Sequence, residues 1–301
     1  MNQVEEAAYA KINLGLDVIR KREDGYHELR MIMQTIDLND TIVLKKTEGE
    51  PKIRLFVEGR DDLEADERNL AYRAAAGILA YADENGIRGS HSVEIHLTKR
   101  IPMAAGLAGG SADCAAVLRG MNRLFEFGFT DEQLRAIGVQ IGADVPYCVC
   151  GGTMLAEGIG EILTPLSPCP DCYCLIAKPP IDVSTAFVYG NLKAGELTTH
   201  PDIDGAIEAI REKNLTSLCG KLMNVLETVT IPTYPVIEEI KEMMRRCGAE
   251  GAMMSGSGPT VFGLFTSEEQ LQDAANQIRT AGITNEIFAC KPVNIITWEA
   301  I

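Results

Sequence analysis

The sequence predicts an α+β protein built from two domains. In the first half of the chain, segments with the β-branched, partly alternating pattern of strands are interspersed with alanine-rich segments whose apolar residues recur at helical spacing. Three prolines between residues 160 and 172 mark a change in composition that is typical of a domain boundary. The second half has the order helix, strand pair, helix and strand, which indicates an α/β sandwich of the ferredoxin type. We expect domains over residues 1–163 and 164–301.

The elements can be assigned in chain order. Strands are predicted over residues 7–19, 40–46, 52–59 and 91–99, and helices over 68–85, 110–124 and 131–141. The third helix has Thr130 as its expected N-cap, because a hydroxyl before the first turn can accept an otherwise unpaired backbone N–H. After the boundary we predict a strand over 172–178, several helices, a helix over 233–248, two strands within 251–265 around a glycine turn, a helix over 267–281 and a terminal strand over 294–300.

Composition and charge exclude several classes of partner. Hydrophobic residues make up 46% of the chain and charged residues 24%, which is the balance of a globular protein with a buried core. The net charge of −15 argues against nucleic acid and anionic membranes as partners. No uncharged apolar run reaches the roughly 18 residues of a membrane helix, and the acidic N-terminus does not resemble a signal peptide. We therefore expect a cytoplasmic protein. We also expect a monomer or a weak homodimer, although composition does not decide the oligomeric state.

Five of the nine cysteines fall in two clusters, Cys148-x-Cys150 and Cys169-Pro-Asp-Cys172-Tyr-Cys174. A Cys-x-x-Cys pair can be half of a zinc site. Both clusters run into apolar, strand-like segments, and no second pair of Cys or His stands nearby. The pattern therefore favours buried or loop thiols over a metal site or a redox role.

A glycine-rich stretch, PMAAGLAGGSADCAAVL from Pro102 onward, lies between a predicted strand and a predicted helix. Such a turn directs successive backbone N–H groups and the positive end of the helix dipole toward one point, so it can bind a phosphate. It lacks the Gly-Lys-Ser/Thr ending of a P-loop, since Gly110-Ser111-Ala112 stands there. Lys99, just upstream, could supply the positive charge. A turn that merely allows close helix packing is the alternative.

Two further segments add a cation and a carboxylate. In Tyr9-Ala10-Lys11-Ile12-Asn13, strand geometry puts Lys11 and Asn13 on one face. Asp144 stands in an apolar, glycine-flanked turn, Ile141-Gly142-Ala143-Asp144-Val145. Lys11 could instead extend to the surface, and Asp144 could be a helix cap. Together with the glycine loop, however, the two residues complete the minimum set for transferring a phosphoryl group to a hydroxyl.

With these three motifs the sequence resembles the GHMP small-molecule kinases. The motifs are AYAKINLGL near the start, IPMAAGLAGGSADCAAVL in the middle and GAMMSGSGPTVFGLF near the end. The segments KINLGLDVIRKREDGYHEL and IGADVPYCVCGGTMLAEGIGE resemble the branch of the family that acts on CDP-methylerythritol. The resemblance implies the two-domain GHMP fold, with ATP and substrate in the cleft between the domains. It also implies an ATP-dependent kinase of the non-mevalonate isoprenoid route that phosphorylates the 2-hydroxyl of its substrate.

The resemblance also implies site residues. Lys11 and Asp144 would be the catalytic pair, with Asp144 accepting the hydroxyl proton and Lys11 stabilising negative charge. The adenine would lie near Asn69, Leu70 and Lys99, and the turn Ser255–Gly258 would close the site. The residues expected around the ATP phosphates are Pro102, Met103, Ala104, Ala105, Gly106, Leu107, Ala108, Gly109, Gly110, Ser111 and Ala112.

On the substrate side, Asn13, Tyr26, His27 and Tyr189 are implied, with Tyr26 and Tyr189 stacking on cytosine; Phe187 is a weaker choice than Tyr189. Magnesium is expected with ATP, but its protein ligands are unassigned, and Ala112 replaces a second serine found in many relatives. The alternatives are another GHMP alcohol or sugar kinase, and a non-catalytic ATP-binding relative, which would be expected to lose Lys11 or Asp144.

Overall fold

A computed structural model describes residues 1–49, 52–87, 89 and 91–294 of the chain. The strands are β1 (Gln3–Lys21), β2 (His27–Lys46), β3 (Ile53–Glu58), β4 (Val93–Thr98), β5 (Thr153–Gly158), β6 (Ile162–Pro165), β7 (Tyr173–Lys178), β8 (Gly251–Met254), β9 (Val261–Phe265) and β10 (Glu286–Cys290). The helices are α1 (Leu70–Glu84), α2 (Gly109–Phe125), α3 (Asp131–Val139), α4 (Val145–Cys150), α5 (Thr185–Asn191), α6 (Ile203–Arg211), α7 (Leu215–Cys219), α8 (Glu227–Thr233), α9 (Val236–Arg246) and α10 (Glu268–Thr280).

The chain forms two compact units that interleave along the sequence. Unit 1 comprises Met1–Ala10, Leu38–Met103 and Ala108–Cys150, and unit 2 comprises Lys11–Asp37, Ala104–Leu107 and Gly151–Ile301. The interleaving arises because β1 and β2, of 19 and 20 residues, each begin in one unit and end in the other. The continuous boundary expected after residue 163 stays a prediction.

Unit 1 combines a sheet with a group of alanine-rich helices. Strand β4 pairs in parallel with β3 and antiparallel with the second half of β2, where Thr41 lies opposite Thr98. Helix α2 packs on α1 and α4, and α3 packs on α4. The buried residues of α1 and α2 include many alanines, whose small side chains let two helix backbones approach closely. This close packing fixes α2, the helix that begins at the end of the glycine loop.

Unit 2 contains the ferredoxin-like part. The first half of β2 pairs with β5, and β5 with β6. The second sheet has the strand order β10-β7-β9-β8 with all neighbours antiparallel. Along the chain these strands alternate with α9 and α10 as β7, α9, β8, β9, α10 and β10, with α5 to α8 inserted after β7. The predicted α/β sandwich is therefore confirmed.

Most predicted elements are present, with shifts at their ends. Thr130 is confirmed as a cap: its side chain accepts the N–H of Gln133 and the two residues form a capping box. The predicted terminal strand over 294–300 lies, apart from Asn294, outside the described residues. The strand that completes the second sheet is β10, which the sequence pattern did not indicate. Within the described residues, no helix is both long enough and apolar enough to cross a membrane.

Candidate active site

Lys11 and Asn13 lie on β1 in unit 2 and contact one another, as the strand alternation predicts. The Lys11 Nζ donates to Asn13 Oδ1 at 2.8 Å. Only 4% of Lys11 is exposed and Asn13 is fully buried, so Lys11 does not extend to the surface. A buried ammonium is costly without polar partners, which makes this lysine a strong candidate for a functional group.

The turn Ser255–Gly258 is held against Asn13 within the same unit. Asn13 Oδ1 accepts a second hydrogen bond, from the Gly256 N–H at 3.1 Å. From the other side, Asn224 Nδ2 donates to the carbonyls of Met254 (2.9 Å) and Gly256 (2.8 Å). A Cβ on Gly256 would lie 3.5 Å from Lys11 Nζ. The glycine turn is therefore fixed beside the lysine by two asparagines.

Gly106, in the middle of the glycine loop, packs directly on the same turn. A Cβ at this position would lie 2.2 Å from the Ser255 carbonyl oxygen, a distance that no side chain can tolerate. The Ser255 hydroxyl donates to the Gly106 carbonyl at 3.0 Å, and the Lys11 N–H donates to the Leu107 carbonyl at 3.1 Å. The centre of the loop is thus joined to β1 and to the turn within unit 2.

The loop backbone has an alternation of left-handed residues. Ala104, Gly106 and Ala108 have φ of +48°, +71° and +56°. Left-handed alanines are uncommon, and alternating left-handed residues in a turn create concave arrays of N–H groups that bind anions. Ala108 precedes α2, and no side chain caps this helix. Its first internal hydrogen bond runs from the Ala112 N–H to the Ala108 carbonyl, so the N–H groups of the residues between them point out of the helix end.

The remaining loop residues lie in unit 1, as do Pro102 and Met103 before Ala104. Ser111 Oγ lies 3.6 Å from the position that a Cβ on Gly142 would occupy, which brings the end of the loop to the turn that carries Asp144. Asp144 directly precedes α4, and its carbonyl accepts the N–H of Cys148 at 3.0 Å. Asp144 is half-buried. Its position at the start of a short helix agrees with both interpretations of the sequence, cap and catalytic group.

Two of the three residues expected near adenine, Asn69 and Leu70, lie at the start of α1. Asn69 is the N-cap of this helix: its Oδ1 accepts the Ala71 N–H at 2.9 Å, and its Nδ2 donates to the Glu64 carbonyl at 2.8 Å. The Leu70 side chain lies 3.2 Å from the position of a Cβ on Gly110. Leu70 is therefore adjacent to the glycine loop, while the Asn69 side chain is occupied by capping.

Lys99 has a different environment from the one that the sequence predicts. It is buried in unit 1, where its Nζ contacts Asp40 Oδ2 and, at 2.7 Å, Asp113 Oδ2. Asp40 Oδ1 also accepts the N–H groups of Arg100 and Ile101. These contacts tie the strand end before the glycine loop to the first turns of α2. Since two acidic side chains already contact the Lys99 ammonium, its predicted contact with the nucleotide stays a prediction without support from its polar contacts.

Two members of the lysine triad, defined as Lys99, Asp40 and Asp113, have shifted pKa values: Lys99 and Asp113. Burial, together with the negative charge of Asp40, raises the pKa of Asp113 to about 8, and the attraction of Lys99 offsets this only in part. Burial lowers the pKa of Lys99, but the charges of Asp113 and Asp40 outweigh it and the net shift is upward. Asp113 Oδ1 has no hydrogen-bond partner among the described residues.

The residues expected to bind the base lie together in unit 2, in an arrangement that differs from the expected one. The His27 ring contacts the Tyr189 ring on α5, with centroids 5.1 Å apart and planes at 40°. Tyr26 is 58% exposed, and its N–H donates to Asp24 Oδ1 in a tight turn. Phe187, on the same helix as Tyr189, is 42% exposed. Burial and the nearby Lys21 lower the pKa of His27, so its ring is neutral at pH 7 and has one donor and one acceptor nitrogen.

Sequence reasoning missed three residues that fix the elements described above, two in unit 1 and one in unit 2. Asp40 and Asp113 pair with Lys99 from positions 59 and 14 residues away, so no local spacing links them. Asn224 is a single amide in an apolar run, MNVLE, and that isolation is the one signal that could have identified it.

Comparison with known families supports the same part of the chain. The model for the GHMP kinases N terminal domain matches residues 69–152. This range includes α1, the whole glycine loop 102–112 and Asp144. The model for the GHMP kinases C terminal domain matches residues 200–284.

Individual relatives match over nearly the full length. The chain is 49% identical over 284 residues to 4-diphosphocytidyl-2-C-methyl-D-erythritol kinase of Geobacillus thermodenitrificans, which covers 94% of this chain and 95% of the relative. The enzyme of that name from Bacillus subtilis is 47% identical and covers 97% of both chains. A crystal structure of 4-(cytidine 5'-diphospho)-2C-methyl-D-erythritol kinase matches with a TM-score of 0.79 and 32% identity, over 97% of this chain and all of the other.

The fold is shared by a homoserine kinase from Cytophaga hutchinsonii. Its structure matches with a TM-score of 0.76 and 20% identity, over 98% of this chain and 95% of the other. The likeness to these kinases extends over both units, and together with the two domain models it shows that the chain belongs to the GHMP kinase family.

Proposed function

We propose that this protein transfers the terminal phosphoryl group of ATP to the 2-hydroxyl of 4-diphosphocytidyl-2-C-methyl-D-erythritol, giving the 2-phosphate and ADP. The observation that carries the substrate assignment is the 47–49% identity, over 94–97% of the chain, to relatives named for that substrate. The buried Lys11 and the uncapped, glycine-rich start of α2 supply groups that such a reaction requires.

We assign binding of the ATP phosphates to the loop 102–112. The N–H groups of Gly109, Gly110 and Ser111 stand at the positive end of the 17-residue helix α2 and precede its first internal hydrogen bond. They fit the oxygens of a polyphosphate, because helix N-termini bind anions through such N–H groups and through the helix dipole. ATP, when bound, supplies the phosphoryl group. The left-handed Ala104 and Ala108 shape the loop for this task.

The hydroxyl side is assigned to Asp144 and Lys11. Asp144 orients the substrate hydroxyl and accepts its proton, and the Lys11 ammonium stabilises the negative charge that develops during transfer. Asn13 fixes the direction of Lys11 Nζ. A loose phosphoryl-transfer transition state requires mainly positioning and electrostatic stabilisation, so a weak carboxylate base is sufficient. No further general base is needed.

Magnesium is proposed as the counter-ion of ATP. Among the residues that the structure describes, no three or more His, Cys, Asp or Glu side chains are grouped to hold a metal ion. Mg²⁺ is usually held by substrate phosphates and water with one or two protein oxygens. Ser111, at the end of the loop, has the oxygen best placed in the sequence for such a contact.

The nucleotide half of the substrate is assigned to the aromatic residues of unit 2. Stacking on an aromatic face is worth about 1–3 kcal/mol per base. Tyr26 offers an exposed ring, and the neutral His27 offers one donor and one acceptor for the pairing edge of cytosine. Since His27 rests on Tyr189 in this structure, binding of a base between Tyr26 and Tyr189 requires the His27 ring to move aside. We further propose that the protein acts in the cytoplasm as a monomer or weak dimer, without nucleic acid.

The first test measures ADP release with CDP-linked and UDP-linked methylerythritol and with a panel of other alcohols. We expect the CDP-linked compound to be preferred in kcat/KM, and a phosphate to appear on its 2-hydroxyl. Asp144→Asn should lower turnover by about a hundredfold or more, in line with a general base, with little change in ATP affinity. Asp62→Asn, an acid-to-amide change in an exposed ion pair with Arg60, is the matched control. Equal use of an unrelated alcohol would favour another GHMP kinase activity, and full turnover of Asp144→Asn would remove that residue from the catalytic pair.

A second test separates the roles of the aromatic residues. Tyr26→Ala should lower kcat/KM for the CDP-linked substrate by about five- to a hundredfold, the equivalent of one stacking contact, while ATP binding is spared. His27→Ala should narrow the preference for cytidine over uridine. Phe187→Ala, on the same helix as Tyr189, should have little effect. If Phe187→Ala causes the loss and Tyr189→Ala does not, the second stacking face is Phe187.

A further inference from the structure

Five of the nine cysteines form a thiol cluster in unit 2, defined as Cys169, Cys172, Cys174, Cys219 and Cys290. All five are buried. Cys174 on β7 lies directly opposite Cys290 on β10. The sequence pattern favours incidental thiols, and their burial agrees with that, but their mutual proximity goes beyond it. None of the residues assigned to catalysis or binding belongs to the cluster.

One pair in the cluster is close in space. Cys169 and Cys172 are separated by the two residues of the turn Cys169-Pro-Asp-Cys172, and their side chains are near enough to interact. The backbone at Cys169 is fixed: its N–H donates to Thr153 Oγ1 (3.1 Å) and Asn294 Oδ1 (3.0 Å), and Asn294 Nδ2 donates to its carbonyl (3.1 Å). Two neighbouring thiols on a fixed turn can form a disulfide with little movement of the backbone.

The two thiols differ in access. Cys172 lines a cavity of about 380 Å³, together with Tyr173, Lys291 and Asn294, whereas Cys169 does not. Cys169 is 2% exposed and Cys172 is 8% exposed. A small reagent that enters this cavity therefore meets Cys172 first and Cys169 behind it.

We propose that Cys169 and Cys172 form a reversible thiol–disulfide site, in which Cys172 is the entry thiol and Cys169 the resolving thiol. The co-reactant is a low-molecular-weight disulfide. Cys172 loses its proton and attacks one sulfur of this reagent, which forms a mixed disulfide and releases one thiol. Cys169 then loses its proton and attacks the Cys172 sulfur, which closes the Cys169–Cys172 disulfide and releases the second thiol. Two protein thiols are oxidised and one reagent disulfide is reduced.

The second step should be the slow one. The interaction with Cys172 and then burial raise the pKa of the Cys169 thiol well above its usual range. Since the thiolate is the nucleophile, closure of the disulfide should accelerate as the pH rises. A persistent mixed disulfide is therefore expected at low pH and an intramolecular disulfide at high pH.

The test uses the full-length protein and 2-hydroxyethyl disulfide, followed by acid quenching and non-reducing mass spectrometry with peptide mapping. We expect the wild type to gain a Cys169–Cys172 disulfide that dithiothreitol reverses, more rapidly at pH 9 than at pH 7. Cys169→Ser should stop at a mixed disulfide on Cys172, and Cys172→Ser should form neither product at this pair. Cys150→Ser, a change at a half-buried thiol of unit 1, should behave as the wild type. Thermal melting checks that each variant is folded.

Several outcomes would overturn the proposal. The native wild type could remain fully reduced while the same chain, unfolded in urea, is oxidised by the same reagent. The disulfide could map to Cys174 and Cys290, or the mixed disulfide could form on Cys169 in Cys172→Ser. Purification with about one equivalent of zinc that protects these thiols from the reagent would indicate a metal site instead. The wild-type measurement stands even if a serine variant fails to fold.

Discussion

Lys99 and Lys11 are both buried, but their surroundings in the two units give them different roles. Lys99 contacts two carboxylates, Asp40 and Asp113, and this triad joins the strand end before the glycine loop to α2. Lys11 donates to Asn13, a neutral amide that also accepts the Gly256 N–H. A carboxylate adds a negative charge beside a buried ammonium, whereas an amide directs the ammonium without adding one. The comparison therefore sets a lysine held between two acidic side chains of unit 1 beside a lysine that an amide directs next to the glycine turn Ser255–Gly258.

The largest effect is expected from Lys99→Met. Removing one partner of a buried ion pair typically costs about 3–5 kcal/mol, because it leaves an uncompensated charge. Here the methionine would leave Asp40 and Asp113 facing each other in unit 1. The free energy of unfolding, measured in urea, should fall by about that amount. Lys193→Met, at an exposed pair with Glu196, should change it by no more than about 0.5 kcal/mol. A loss below about 1 kcal/mol for Lys99→Met would mean that the triad does not stabilise the fold.

Lys11→Met should have the opposite profile. We expect kcat of the proposed kinase reaction to fall by about 100- to 1000-fold, the usual effect of removing one electrostatic contact to a transition state. The free energy of unfolding should change less than in Lys99→Met, since Asn13 keeps the Gly256 N–H as a donor, whereas Lys99→Met leaves two acidic side chains buried without their lysine. Steady-state kinetics at saturating substrates and urea unfolding measure the two quantities. Lys193→Met serves again as control, and near-normal turnover would exclude Lys11 from the reaction.

Asn13→Asp makes the surroundings of Lys11 more like those of Lys99. The change retains the size of the side chain and an oxygen acceptor for Lys11 Nζ and the Gly256 N–H, but it adds a negative charge. We expect turnover to fall by about tenfold, equivalent to about 1.4 kcal/mol, because the ammonium is then partly neutralised, and stability to be largely retained. Asn276→Asp, on the exposed side of α10, is the matched control. Unchanged kcat would show that the neutrality of position 13 is irrelevant.

Features that depend on residues close together in the chain could be predicted from the sequence. Thr130 caps α3 because its hydroxyl can accept a backbone N–H of the first helical turn. Helix α2 begins within one residue of the expected position because glycines precede an apolar helical pattern. The contact of Lys11 with Asn13 follows from strand alternation alone. The family resemblance supplied the fold and the reaction, and the comparisons with known proteins support both.

The non-local part could not be predicted. Lys99 looked available to a phosphate because its partner Asp40 comes from a strand 59 residues earlier. The contact of His27 with Tyr189 joins residues 162 positions apart. The family resemblance indicated that both residues belong to the substrate site, but it did not indicate that their rings contact each other. Strand β10 was missed because its apolar pattern, EIFAC, is short, and tertiary pairing with β7 decides its state.

The smallest effect on the free energy of unfolding is expected from Asp113→Asn near pH 4. This difference from the wild type should grow as the pH rises. Folding raises the pKa of Asp113 to about 8 through burial and the charge of Asp40, so below that pH the folded protein holds a proton that the unfolded chain releases above about pH 4. The stability from this proton is present below about pH 4 and is lost as the pH rises toward 8, by up to about 1.4 kcal/mol per pH unit.

In Asp113→Asn, the new amide resembles the protonated carboxyl but does not titrate. This variant should therefore lie within about 1 kcal/mol of the wild type near pH 4 and gain on it steadily up to pH 8. Urea unfolding of both proteins across this range measures the difference, with Asp62→Asn as a control whose difference from the wild type should not rise in this way. A difference that is constant with pH, or that falls, would show that Asp113 is ionised in the folded protein and that the triad carries a net negative charge.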